Sequence, residues 1–269
     1  MRWNRMVAVA QKDLQESFST SQVIMPLAII PLIFVILYPS GMLIALRMPG
    51  AVAELSELVQ QLPRDVIPQI AGLDLAGSIA YFATVYLFSP FFLIIPVMVA
   101  SILAANSFAG EKERHTLEGL LYTPLSDTEL VVAKIAGAVV PAVVFAWACF
   151  GIYAVLVNVL GNPLVGRVFF PSLNWWVLMV LVVPAASVFV AVITTWVSAR
   201  VRGYQEANSI GGFAVLPLVL LVIGQTSGAM LVGPTVFAII GVVLLLADFA
   251  LTWAVVTTFS REKAVSSYV

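Results

Sequence analysis

A single cysteine, Cys149, and a single histidine, His115, stand among 269 residues. One thiol excludes an internal disulfide, and one thiol with one imidazole cannot build a metal cluster, so no metal centre is expected. Cys149 reads as a small apolar packing residue, and His115, beside Arg114, as a surface contact. Charge is scarce as well. Only 10% of the residues are Asp, Glu, Lys or Arg, against about 25% in an ordinary globular domain. That is too little to cover a soluble monomer of this size. The net charge of −1 leaves no field for holding nucleic acid. Catalytic signatures are missing too. There is no G-x-x-x-x-G-K-[ST] loop, and no glycine precedes any of the four lysines, so the chain offers no phosphate cradle of its own. Neither H-E-x-x-H nor G-x-S-x-G occurs.

Apolar residues dominate instead: 61% of the chain, with a mean hydropathy of +1.05, which excludes a disordered chain. A transmembrane helix needs about 20 mostly apolar residues. Six stretches qualify, at 22–46, 80–105, 131–157, 175–199, 209–229 and 234–257. Residues 207–259 are almost uncharged, but as one helix they would run to about 80 Å, far beyond a bilayer core of about 30 Å. Turn signals at Gly224, Gly228 and Gly233-Pro234 divide them into two spans. The expected fold is all-α, a polytopic membrane protein in one domain over residues 1–269. Prolines 26, 31, 90, 96, 141, 184 and 217 imply kinks within the spans.

Lys and Arg set the orientation. With the N-terminus in the cytoplasm, the inside segments carry Arg2, Arg5, Lys12, Lys112, Arg114, Lys134, Arg200, Arg202, Arg261 and Lys263. The outside segments carry only Arg47, Arg64 and Arg167. Both termini are therefore expected to be cytoplasmic, and no cleavable signal peptide is expected. Ahead of the first span, Trp3, Met6, Val7, Ala10, Leu14 and Phe18 recur at helical spacing, with charges on other faces. Residues 1–21 thus read as an amphipathic helix lying on membrane lipid. Outside, the acids Glu54, Glu57, Asp65 and Asp74 of the 47–79 segment show no cation-ligand spacing. Trp175-Trp176 read as an interfacial anchor. Asp248 is the one acid deep within a span, roughly 15 Å from its cytoplasmic end at helical rise. An intramembrane acid marks a candidate translocation path or a polar contact between helices.

Charge is concentrated in one segment, Gly110 to Lys134, reading GEKERHTLEGLLYTPLSDTELVVAK. Leu117, Leu120 and Leu121 form an apolar i, i+3, i+4 stripe. Thr123-Pro124 stops that helix, and Ser126-x-x-Glu129 has the form of a capping box that starts the third span. The product is a short amphipathic helix over 110–125, within a cytosolic segment spanning 106–130, held between two membrane helices by defined turns. Such an element can dock in a groove on a partner and pass a push to both spans.

This segment strongly resembles the signature of ABC type-2 permeases, the membrane subunits of ATP-binding-cassette exporters. Gly110-Glu111-Lys112-Glu113, Thr116-Leu117-Glu118, Leu120-Leu121, Thr123-Pro124, Ser126, Glu129 and Lys134 carry the likeness. His115 stands where the family usually has Gly, and Ala133 where Gly often precedes the Lys. Ser198-Ala199-Arg200-Val201-Arg202 and Phe259-Ser260-Arg261-Glu262-Lys263 resemble the family's joint after the fourth span and its tail. The resemblance implies a non-catalytic permease in the cytoplasmic membrane, paired with a second copy or a related chain. It further implies a separate ABC ATPase subunit in which ATP and Mg act, while this chain binds no cofactor. Glu111, Glu113, Arg114, Thr116, Leu117, Glu118, Leu120, Leu121, Thr123 and Pro124 would couple to that subunit. The alternative on residues alone is a proton- or ion-coupled secondary transporter built around Asp248; an inverted repeat would favour it, and none is visible.

Overall fold

A computed structural model describes residues 7–12, 15, 21–48, 50, 52, 68–70, 72–114, 125–201, 203–213, 216–226 and 232–259. Among them every regular element is helical, and no strand occurs. Five helices are long and apolar enough to cross a membrane: α1 (Ile24–Ala45), α2 (Leu75–Glu113), α3 (Asp127–Val165), α4 (Leu173–Ser198) and α7 (Pro234–Thr258). Two shorter helices, α5 (Tyr204–Gly212) and α6 (Leu216–Thr226), lie between α4 and α7. The expected span at 209–229 is thus shared between α5 and α6, each too short to cross alone. Gly211, Gly212 and Pro217 sit at the division, where helix propensity is lowest and a proline suits a new first turn. Residues 214, 215 and 227–231 fall outside the described residues.

Helices α2 and α3 are each 39 residues, about 58 Å at helical rise. They extend well past the apolar stretches at 80–105 and 131–157. Residues 106–113, expected in the cytosolic segment, continue α2, and Asp127 to Leu130 begin α3. The expected capping box is in place: Ser126 Oγ accepts from the Glu129 amide, and Glu129 Oε2 accepts from the Ser126 amide. Asp74 caps the other long helix, its Oδ1 accepting from the Gly77 amide at 2.7 Å. Gly166 ends α3 at φ 75°, a left-handed turn that suits a residue without Cβ.

Three spans carry one π-helical turn each: Leu32–Leu37 in α1, Ala83–Leu87 in α2 and Leu178–Val182 in α4. Each precedes a proline, Pro39, Pro90 or Pro184. A proline offers no N–H and its ring presses on the carbonyl four residues earlier. Those carbonyls belong to Val35, Tyr86 and Val180, all inside the widened turns. The kinks expected at Pro90 and Pro184 therefore take the form of π turns, and Pro39, not among the expected kink sites, does the same.

Helices α2 and α4 are the most enclosed and pack on each other. On this pair lie α3, α5 and α7, while α1 packs on α2 and α3, and α6 on the middle of α2. Exposed apolar side chains crowd the outer faces: Phe249, Leu246 and Trp253 on α7, Val144, Val155 and Val159 on α3, Met25 and Leu37 on α1. A water-facing helix would carry charge there; these faces suit hydrocarbon.

Candidate functional site

The last turn of α2 gathers the charged end of the bundle. Successive helical residues point about 100° apart, so Glu111, Lys112 and Glu113 leave α2 in three directions. Each grips a different helix. Glu111 turns to α3, where Lys134 Nζ lies 3.2 Å from its Oε2. Both side chains are buried, and Lys134 is fully so. Lys134 also donates to the Ser107 carbonyl at 2.7 Å and stands 4.8 Å over the Phe108 ring. Lys12 donates to Glu111 Oε1 at 3.1 Å from the helical residues 7–12. These contacts answer the cost of burying a carboxylate and an ammonium, which is several kcal/mol per unpaired ion.

Lys112 turns to the end of α4. Its ammonium donates to the Ala199 and Val201 carbonyls at 2.8 and 2.9 Å, satisfying acceptors that a helix C-terminus leaves open. Glu113 turns to α5, where its Oε1 accepts from the Tyr204 amide at 2.8 Å. A Cβ at Gly203 would come within 2.8 Å of that same oxygen, so the glycine leaves room for the cap. One further link enters α2 from the side. Ser198 Oγ accepts from the Phe108 and Ala109 amides at 3.2 and 2.8 Å and donates to the Ala105 carbonyl at 2.8 Å. A hydroxyl of α4 is thereby built into the backbone ladder of α2.

Of the residues expected to couple to a partner, Glu111 is buried in this ion cluster, Glu113 caps α5, and exposed Arg114 donates to Asn106 Oδ1 at 3.1 Å. Thr116, Leu117, Glu118, Leu120, Leu121, Thr123 and Pro124, with His115, lie outside the described residues. Sequence reasoning did not anticipate the grips of Lys112, Lys134 and Ser198. Their only local signal was charge or hydroxyl at the edge of an apolar run. Arg200 marks where α4 leaves the apolar layer: its guanidinium lies 3.7 Å over the half-exposed Trp196 ring.

The opposite half of the bundle is held by aromatic side chains and their polar atoms. The π turn in α2 redirects the Phe88 amide to the Ala83 carbonyl and so releases the Thr84 carbonyl, next to that of Val85. Tyr153 of α3 donates to Thr84 O at 2.9 Å. Trp175 Nε1 of α4 reaches both carbonyls, at 3.2 and 3.1 Å, and Asn174 Nδ2 reaches Val85 O at 3.0 Å. Trp175 therefore corrects the expectation of an interfacial anchor: it is fully buried and stacks on Tyr153 at 4.7 Å. Trp176 beside it is half exposed.

Asp248 lies on the face of α7 that also buries Phe237, Gly241 and Val255, toward α4. It is 6% exposed, and neither carboxyl oxygen has a hydrogen-bond partner among the described residues. Leu173–Ser198 of α4, on which this face of α7 packs, contains no ionisable side chain. A family model described as ABC-2 family transporter protein matches residues 7–240. No curated protein matches the chain.

Proposed function

The chain belongs to the ABC-2 family transporter proteins and is a multi-pass membrane permease; from that premise we propose that it forms the translocation path of an ATP-driven exporter. ATP and Mg act in a separate cytosolic ABC ATPase subunit, docked on the 110–125 segment. The permease works beside a second copy or a related chain in the cytoplasmic membrane, crossing it six times with α5 and α6 making the fifth passage. Ten of thirteen basic residues then lie on the cytoplasmic side with both termini.

The observation that carries this reading is the junction between α2 and α3. An amphipathic stripe, Leu117, Leu120 and Leu121, interrupts two long apolar helices, and its flanks are pinned by the Glu111–Lys134 pair and the Ser126–Glu129 box. A docked partner pushing this junction moves α2 and α3 together, and through Lys112, Ser198 and Glu113 it moves α4 and α5 as well. Closure of two ATPase subunits on ATP is thus converted into a change in the bundle that releases cargo outward. Asp248 is the candidate polar contact along that path. The test is purification from native membranes with identification of co-eluting proteins. A stoichiometric ABC ATPase is expected; active transport by the chain alone would overturn the reading.

A further inference from the structure

The helical residues 7–12 dock on the corner formed by α2 and α3. Ala10 lies against Gly137 of α3, where a Cβ would sit 3.3 Å from both the Cα and the Cβ of Ala10. Val9 packs on the cluster of Phe108, Leu130 and Ala199 and on that of Leu125 and Ala133. Leu125 directly follows the 115–124 stretch, and Glu111 shortly precedes it. Lys12 completes the contact at Glu111 Oε1, 3.1 Å away. One short element therefore touches both roots of the segment assigned to the ATPase.

The two lysines on Glu111 are unequal. Lys134 is fully buried, and leaving the carboxylate would strand an ion in an apolar setting. Lys12 is 48% exposed, so water can take its place at little cost. The Lys134 bond is structural, whereas the Lys12 bond can open and close while α2 and α3 stay joined. Among the described residues, Val9 and Ala10 make the apolar side of the contact, with the alanine seated on a glycine.

We propose that residues 7–12 are a detachable clasp over the α2–α3 corner, with Lys12 as the positioning residue that holds Glu111, and with it the roots of the 115–124 segment, in one orientation. Docked, the clasp restrains the segment; released, it lets the segment follow its partner. The inference deepens the permease reading and rests on it for its effect on ATP turnover, but the docking geometry stands apart from that reading.

The test uses the full-length chain with its co-purified ATPase, in a Cys149→Ala background. Ala10→Cys with Gly137→Cys places two thiols at a Cβ separation close to that of a disulfide. Rapid cross-linking under mild oxidant is expected, with ATP turnover falling about tenfold or more and recovering on reduction. Lys12→Glu in this pair should lower the cross-linking rate by about fivefold, the loss of one part-exposed ion pair. Lys12→Arg keeps the charge and should hold the parental cross-linking rate, whereas Lys12→Met should slow it as Lys12→Glu does; the Lys12 side chain is half exposed, so these variants leave the fold intact. The proposal is overturned if the thiols do not cross-link, if Lys12→Met and Lys12→Glu cross-link at the parental rate, or if the cross-linked complex turns over ATP at the unlinked rate. If no ATPase co-purifies, the permease reading fails, and the position-12 series still decides the clasp.

Discussion

Replacing Lys134 with methionine tests whether the buried pair beneath the 115–124 segment holds α2 to α3. Methionine keeps most of the volume and removes the charge. The side chain loses its 3.2 Å contact with Glu111, its 2.7 Å bond to the Ser107 carbonyl and its place over Phe108. The larger effect falls on the partner. Glu111 keeps its carboxylate within the protein, answered by Lys12 from the solvent side. Breaking a buried ion pair from one side costs about 3–5 kcal/mol, most of it the penalty on the charge left behind. Glu111→Gln should cost a similar amount, since it strands Lys134. The double variant removes both charges and leaves a neutral amide beside a thioether, so its cost should be smaller than either single cost. The measurement is a double-mutant cycle on the fraction of protein that remains monodisperse in detergent after graded heating. A coupling energy of about 2 kcal/mol or more is expected. Additive losses would show that the two side chains act independently and would refute the account of this junction.

Three further outcomes follow from the same structure. Leu117→Asp or Leu121→Asp should abolish co-purification of the ATPase while membrane insertion is unchanged; normal co-purification of either variant argues against docking there. Tyr153→Phe and Trp175→Phe each withdraw a donor from a carbonyl freed by the π turn of α2, so each should cost about 1–3 kcal/mol of stability, read by the same heating assay, with Trp175→Phe also losing stacking area. Asp248→Leu should raise thermal stability, because it removes a buried carboxyl without a hydrogen-bond partner among the described residues, yet lower ATP-dependent export in reconstituted vesicles. A variant that is more stable and equally active would remove Asp248 from the path.

Length and hydropathy identified α1, α2, α3, α4 and α7, because hydrocarbon thickness imposes a span length that a chain cannot evade. The Ser126–Glu129 box was equally legible, since its partners stand three residues apart and the bond is local. The ends of α2 were not. Glu111 and Lys112 looked water-facing because charge in a sequence signals solvent, whereas here their counter-groups arrive from Lys134 and from the carbonyls ending α4. Such pairings join distant positions and leave no periodic trace. Trp175 misled for the same reason: an aromatic at the start of a span suggests the interface, and only the π turn opposite supplies acceptors that draw its indole inward. The prolines foretold a disturbance in α2 but not that α3 and α4 would provide its hydrogen bonds.

These two sets of polar bonds would let a push at the α2–α3 junction, as proposed, act on a whole bundle. Around the last turn of α2 the links to α3 and α4 run through buried ions and a hydroxyl set in the backbone ladder, and the link to α5 through the exposed Glu113, and in the opposite half α2, α3 and α4 meet again through Tyr153, Asn174 and Trp175. Bonds of this kind are directional and costly to leave unmade, so under that push α2, α3 and α4, tied near both ends, would move as one body. Helix α7 meets α4 differently, along a face that buries Phe237, Gly241, Asp248 and Val255, where Gly241 leaves room for the Leu181 side chain. Apolar contacts are non-directional and tolerate sliding. Under the proposed reading, the plane between α4 and α7 is where a push on the α2–α3 junction would relax, and Asp248, whose carboxyl oxygens have no hydrogen-bond partner among the described residues, is the group whose surroundings such a slide would change most.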